Sequence, residues 1–273
     1  IGHHPKVPKP YLLPIYGRKA YLKDRIYFVV KWIMRKLDPF YRLSIYKSTK
    51  IIAINSSVQA TIRAPKKKMI IIPAVAGVKI KTNEEKSDSN FTILSVGRFV
   101  EMKGFELTIK SFAHFIKNIS EEDKKKIQLK LVGKGELTNS LKQLTIKLGI
   151  EKQVKFIAWV EKSEMEDIYA QSDVFLFPSH EGAGMVVPEA MSYGLPVITF
   201  DNVGPGELLK DAGIKIPYST YNQSILDFSN ALTNLYHNPG SRLRLGINSS
   251  LTFKSSVKLS PFYVSKSIKS CTK

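Results

Sequence analysis

The chain has one cysteine, Cys271, among its 273 residues, so no internal disulfide can form, a composition compatible with a reducing compartment. Long apolar runs are also missing. The longest, such as IYFVV (26–30) and MIII (69–72), are about five residues, against the roughly 20 needed to span a bilayer. No initiator Met and no signal-peptide pattern opens the sequence, and the expectation is a fragment of a longer protein. Neither G-x-G-x-x-G nor G-x-x-x-x-G-K-[ST] occurs, which weakens dinucleotide and P-loop readings. No D-x-D pair occurs either, so no Mg²⁺ or Mn²⁺ site is evident and no metal or other cofactor is expected.

Acidic residues are scarce at both ends. Residues 1–80 hold 17 Lys or Arg and only Asp24 and Asp38 as acids, and residues 242–273 hold seven basic groups and no acid. The stretch between them carries 18 basic and 21 acidic groups, so the net charge of +19 belongs to the ends. A nucleic-acid surface would spread that charge along the main domain; loading it on the ends favours contact with an anionic membrane surface instead. Within the basic front, Ile26, Val29, Val30, Ile33 and Leu37 recur at helical spacing among Lys, Arg, Tyr, Phe and Trp. Two readings fit that pattern: a helix lying in a membrane interface, or a helix whose apolar side faces a core and whose basic side is solvated.

A hydrophobic content of 43% is enough to fill a core. From Phe91 the sequence alternates between two periods. FTILSV, IQLKLVG, VKFIAWV, DVFLFP and PVITF read as strands. The stretches 103–118, 136–149, 161–172 and 187–193 between them read as helices, with Gly149 and Gly194 as stops and Pro188 in a first turn. Ahead of these, KIIAIN and KMIIIPA read as two short strands around a small helix, and KTNEEKSDSN (81–90) as a polar linker. Strands separated by helices predict an α/β fold with a parallel sheet flanked by helices on both faces. Ligands of such sheets sit beyond the carboxyl ends of the strands, so the loops after Val96, Val132, Ala158 and Phe177 carry the chemistry.

After the first of these strands, Gly97 turns the backbone, Arg98 stands at the strand end and Lys103 opens the helix, where an anion would meet free N–H groups and two cations. After the second, Gly133 and Gly135 admit a close ligand or form a plain tight turn. In FPSHEGAGMVVPEAMSYGLP, Gly182 and Gly184 can turn main-chain N–H groups toward a ligand. Glu189 falls in the first turn of the next helix, placed to accept from vicinal hydroxyls or merely to complement the helix dipole. His180 either reaches the ligand or packs beside the strand as a polar loop residue. His3 and His4 are candidates for the cleft lining.

The blocks VGRFVEMKG, VGKGEL, VKFIAWV, YAQSDVFLFPS and EGAGMVVPEAMSYGLPVI resemble, in order and spacing, the nucleotide-sugar-binding domain of glycosyltransferase family 4, the retaining group 1 transferases of GT-B fold. The resemblance covers about residues 50–250. It implies a Rossmann-like domain over 91–250, the C-terminal half of a GT-B fold. Residues 1–80 would be a remnant of the acceptor-side domain and inter-domain segment, 81–90 the linker and 251–273 a basic tail that matches the family's closing helix poorly. It implies that Arg98 and Lys103 hold a donor diphosphate, Glu189 the ribose hydroxyls and Glu181 the transferred sugar. Gly97, Gly182, Gly184, Met185 and Val186 would add backbone contacts, with the base near Gly133, Gly135 and Val160. The sequence departs from the family at Ala158, where Gly is usual, and at Ala183 in the sugar pocket.

On that resemblance the expected activity is retaining, metal-free transfer of a hexose from a UDP- or GDP-sugar to a glycan or lipid-linked acceptor. The expected place is the cytoplasm, peripheral at the inner face of the plasma membrane. The alternatives are a nucleotide-sugar-binding module without transfer, or another GT-B enzyme such as a nucleotide-sugar epimerase.

Overall fold

The computed structural model describes residues 8–62, 64–72, 90–158, 160–202 and 204–258. The strands in chain order are β1 (Ile51–Ala53), β2 (Met69–Ile71), β3 (Phe91–Val96), β4 (Ile127–Val132), β5 (Val154–Ile157), β6 (Val174–Phe177), β7 (Val197–Phe200) and β8 (Gly213–Ile216). The helices are α1 (Lys9–Leu37), α2 (Pro39–Lys47), α3 (Ser56–Thr61), α4 (Phe105–Lys117), α5 (Glu121–Lys124), α6 (Thr138–Lys147), α7 (Lys162–Ala170), α8 (Val186–Ser192), α9 (Pro205–Leu209), α10 (Tyr221–His237) and α11 (Pro239–Lys258).

Strands β3 to β8 form one parallel sheet in the order β5-β4-β3-β6-β7-β8, and β1 and β2 pair in parallel around α3. Neighbouring residues along each central strand face opposite sides, as strand pleating requires. Ile93, Leu176 and Ile198 join one cluster with Phe112, Phe115 and Phe228 of α4 and α10. Their neighbours Leu94, Phe175 and Val197 join another with Met191 of α8 and Phe253 of α11. Both faces are therefore covered, which is why these strands read as nearly continuous apolar runs.

The sheet and its flanking helices match the α/β expectation, and β8, α10 and α11 extend it beyond the elements read from the sequence. Thr220 caps α10 by accepting from the Gln223 N–H. Helix α11 docks through small residues: Ser249 donates to the Ala212 carbonyl at 2.8 Å, and a Cβ on Gly246 would come within 2.4 Å of the Gly194 oxygen. It runs through Lys258, so residues 251–258 of the expected tail are helical. Residues 259–273, His3 and His4, and all of the expected linker except Asn90 lie outside the described residues.

The front of the chain corrects one reading. Tyr11 and Leu12 of α1 are buried in the main core. The Tyr11 hydroxyl sits 2.7 Å from the Ser224 hydroxyl and accepts from the Ser219 N–H at 3.0 Å. Gly17 (φ +80°) then breaks the helix, and the stripe Ile26, Val29, Val30, Ile33 and Leu37 is exposed, none of it below 41%. Its helical spacing does not denote packing against this core.

The helix predicted from Lys103 also begins later. Residues Glu101–Lys103 form a 3₁₀ turn, and Gly104 (φ +71°) separates it from α4. A Cβ at Gly104 would meet the Pro178 carbonyl oxygen at 2.2 Å, so this glycine lets the loops after β3 and β6 touch. Gly104→Ala is expected to cost about 2 kcal/mol or more, combining left-handed strain with the clash. Gly149→Ala, at φ +67° in open space, is expected to cost about 1 kcal/mol from strain alone. Urea denaturation of both variants checks this, and equal losses would mean that the Pro178 contact carries no weight.

Candidate functional site

Strand order reverses between β3 and β6: β4 and β5 continue one way, β7 and β8 the other. Loops on either side of such a switch part beyond the carboxyl ends of the strands and leave a crevice. The β3 loop (97–104) and the β6 loop (178–185) flank this point. They are stitched together by the His180 N–H donating to the Met102 carbonyl at 2.9 Å and the Ser179 hydroxyl donating to the same oxygen at 3.2 Å.

Across the stitch, Lys103 Nζ lies 2.6 Å from Glu181 Oε1, with the two side chains only 15% and 14% exposed. The Lys103 stem runs past Gly97, and its ammonium is 5.4 Å from the centre of the Phe177 ring. A charge pair this short and this sheltered is held more tightly than a surface pair, because solvent screens it less. Arg98 is exposed, and its side chain makes no hydrogen bond or ion pair among the described residues.

Gly133 and Gly135 serve the loops themselves. A Cβ at Gly133 would fall 2.0 Å from the Gly97 carbonyl oxygen, and one at Gly135 2.5 Å from that of Phe99. The Gly97 N–H donates to Val132 at 3.0 Å, and Gly133 to Ile157 at 2.9 Å, so the loops after β3, β4 and β5 form one backbone-bonded row. Val160, beside the β5 loop, packs against the cluster of Leu94, Val132 and Tyr169.

In the β6 loop Gly182 and Gly184 are buried, Val186 is half-buried and Met185 is exposed. Gly184 lies against the Pro205 ring, and the Gly182 carbonyl accepts from the Asn55 side-chain amide, whose oxygen caps α3 at the Val58 N–H. Asn202 Nδ2 donates to the Ser179 carbonyl at 3.0 Å, while its Oδ1 accepts from Gly204 and Gly206. Glu189 occupies the first turn of α8 as expected. It accepts from the Tyr169 hydroxyl at 3.0 Å, so its carboxylate is held from α7 and not by the Lys103–Glu181 pair. Burial raises its pKa, while the Tyr169 hydrogen bond and Lys162 oppose the rise. Burial, and then Glu189, drive the Tyr169 hydroxyl well above the usual tyrosine range.

The two glutamates thus differ in environment: Glu181 is neutralised by a cation, Glu189 is half-desolvated beside a phenol. Of the predicted residues, Lys103 meets Glu181 and runs past Gly97, and Gly133 packs against Gly97. Asn55, Tyr169 and Asn202 escaped the sequence reading. Asn202 had a signal, the DNVGPG turn composition. Asn55 and Tyr169 had none, being 127 and 20 residues from their partners.

His180 takes the packed alternative. It is buried, stacks on Phe200 at 5.1 Å and Tyr218 at 5.7 Å, and meets Tyr11 at 5.0 Å, with Nδ1 3.0 Å from the Tyr218 hydroxyl. Burial lowers its pKa to about 3. No group of three or more metal-ligating side chains occurs among the described residues. A cavity of about 720 Å³ lies elsewhere, between α1, α2 and the β1–α3–β2 unit, and none of these loop residues lines it.

Comparison with known proteins gives a sequence family, described as glycosyl transferases group 1, matching residues 78–251. An uncharacterized glycosyltransferase of Haemophilus influenzae is 38% identical over 118 residues, covering 43% of this chain and 31% of the relative. A lipopolysaccharide core biosynthesis glycosyltransferase of Rhizobium meliloti is 32% identical over 120 residues, covering 44% and 32%. The matches thus span about a third of the length of these curated relatives. Among solved structures, a pneumococcal O-GlcNAc transferase in complex with UDP and GlcNAc superposes with a TM-score of 0.66 at 18% identity, over 81% of this chain and 46% of that one, a likeness of fold.

His180 yields a pH prediction. With its pKa lowered in the folded state, the unfolded chain takes up the proton first, so stability is full above the ordinary histidine range and falls as pH drops toward 3. The expected loss between pH 7 and pH 5 is about 2 kcal/mol from this group. Urea midpoints at the two pH values measure it, with His180→Phe as the control that should flatten the difference. An unchanged slope in that variant would assign the pH dependence elsewhere.

Proposed function

The chain belongs to the group 1 glycosyltransferases, and from that membership we propose that the crevice between β3 and β6 binds a nucleotide-sugar donor and serves transfer of its sugar. The observation that carries the reading is the Lys103–Glu181 pair at the point where the sheet reverses. A cation whose partner belongs to the facing loop can change partners when a stronger anion arrives. A donor diphosphate would draw Lys103 from Glu181, leaving Glu181 to accept from sugar hydroxyls while Lys103 and the exposed Arg98 hold the phosphates. As the sugar–phosphate bond breaks, negative charge grows on the departing diphosphate, and these cations stabilise it without requiring a metal.

Glu189 would accept from the ribose hydroxyls, its carboxylate fixed by Tyr169. The turn at Gly182, Gly184, Met185 and Val186 would present N–H groups to the donor, and the base would lie toward Gly133, Gly135 and Val160. UDP and a sugar accompany the pneumococcal structure of like fold, which supports a UDP- or GDP-sugar here. The finer assignments are part of the same proposal: family 4, retention of configuration, a hexose, a glycan or lipid-linked acceptor, and a place on the inner face of the plasma membrane. So is the division of the chain, with residues 1–80 contributing the acceptor-side remnant and 91–250 the donor domain. A binding module without transfer is the second reading.

Calorimetric titration with UDP, GDP and ADP, with a radiolabelled transfer assay beside it, separates the readings. Lys103→Ala should weaken nucleotide diphosphate binding by about ten- to a hundredfold, the worth of a charge-assisted hydrogen bond. Glu189→Ala should erase the preference for UDP over 2′-deoxy-UDP. Binding that survives both substitutions would remove the crevice from the donor site, and binding without transfer would leave the module reading.

A further inference from the structure

The exposed front of the chain carries a second cluster of chemistry that the sugar-donor site does not use. Trp32, Arg35 and Lys36 of α1, Tyr41 and Arg42 of α2, and Lys68 beside β2 line the cavity of about 720 Å³. Among the described residues no carboxylate lines it. Among the described residues the buried Tyr41 hydroxyl has no hydrogen-bond partner, a donor in place for an anionic oxygen.

The surface around the cavity has the same two-part character. On α1 the stripe Val29, Val30 and Ile33 is exposed, and on α2 Phe40, Leu43 and Tyr46 are too. Cations alternate with rings: Lys31 lies 4.2 Å from the Tyr27 centroid, Lys36 5.1 Å from Trp32 and Lys68 5.9 Å from Tyr46. Between Lys9 and Lys47 there are ten Lys or Arg and two acids. Asp38 caps α2 and Asp24 lies 3.4 Å from its neighbour Arg25, and neither lines the cavity. No helix among the described residues is long and apolar enough to cross a membrane.

Exposed apolar residues, ring-backed cations and a cavity with donors but no carboxylate suit a surface that is anionic outside and hydrocarbon within. We propose that α1 and α2 dock flat on a bilayer containing anionic phospholipid, with the cavity taking a lipid phosphate between Arg35, Arg42, Lys68 and the Tyr41 hydroxyl. Val30, Ile33 and Phe40 then enter the acyl boundary. Charge complementarity selects this occupant, since a second copy of the chain would bring the same positive charge to the interface. This deepens, and rests on, the membrane placement proposed above, but its residues are separate from the sugar-donor crevice, so vesicle binding and nucleotide binding succeed or fail separately.

Trp159→Phe leaves Trp32 as the one tryptophan, so its fluorescence reports this cavity. With vesicles of phosphatidylcholine containing about a third phosphatidylglycerol, the emission should shift to the blue and the protein should co-sediment, both weakening as salt rises. Replacing Arg35, Arg42 and Lys68 together by Gln should weaken vesicle binding by about a hundredfold. Replacing the same three by charged residues (Arg35→Lys, Arg42→Lys, Lys68→Arg) should largely preserve it, which separates loss of charge from loss of fold. Equal binding to neutral phosphatidylcholine vesicles, or full retention in the Gln variant, would overturn the proposal. So would a Trp32 shift with inorganic phosphate or glycerol phosphate but not with vesicles, which would make the ligand a soluble phosphate. A shift that tracks protein concentration without lipid would assign the face to a second copy and overturn the proposal as well.

Discussion

Everything near the candidate site depends on β3 and β6 being neighbours although two other strands separate them in sequence. Because the winding reverses there, the two loops leave the sheet on diverging paths, and something must hold their far ends in register. Three contacts do so: Gly104 against the Pro178 carbonyl, the Met102 carbonyl shared by Ser179 and His180, and the Lys103–Glu181 pair. The first two are packing and hydrogen bonds between uncharged groups. The third is electrostatic and exchangeable, so the same frame can be rigid in shape and responsive in charge.

Support for the frame comes from outside the sheet. Tyr11 reaches from α1 to Ser219 and Ser224 and closes an aromatic group with His180, Phe200 and Tyr218 behind the β6 loop. Asn55 fixes the Gly182 carbonyl from the β1–α3–β2 unit, and the Ser56 hydroxyl donates to Glu207 at 2.7 Å. The basic front of the chain is thereby tied to the glycine turn through Asn55, to α9 through Ser56 and to the aromatic group behind the β6 loop through Tyr11, although most of its surface faces outward.

Much of this was legible in the sequence. Strands β3 to β7 were readable because burial on both faces leaves compact apolar runs, and the helices between them because one apolar stripe repeats at 3.6 residues. What stayed hidden has physical reasons. The late start of α4 turns on a contact between Gly104 and Pro178, 74 residues apart in sequence. The partners of Glu189 and Gly182 are likewise tertiary. Helix α11 lacked a strong apolar pattern because serine and glycine do part of its docking, and the stripe on α1 had a pattern that is the same whether the face is covered or bare.

The contact between Gly246 of α11 and the Gly194 carbonyl has an evolutionary reading. A residue that looks like a weak point in a helix is under a strict size limit, since even one methyl group would strike main-chain oxygen. On the same helix Leu243 and Leu251, which hydropathy would mark as essential, are 67% and 56% exposed. Neutral drift along this helix should therefore run opposite to hydrophobicity, sparing the smallest side chain and rewriting the largest.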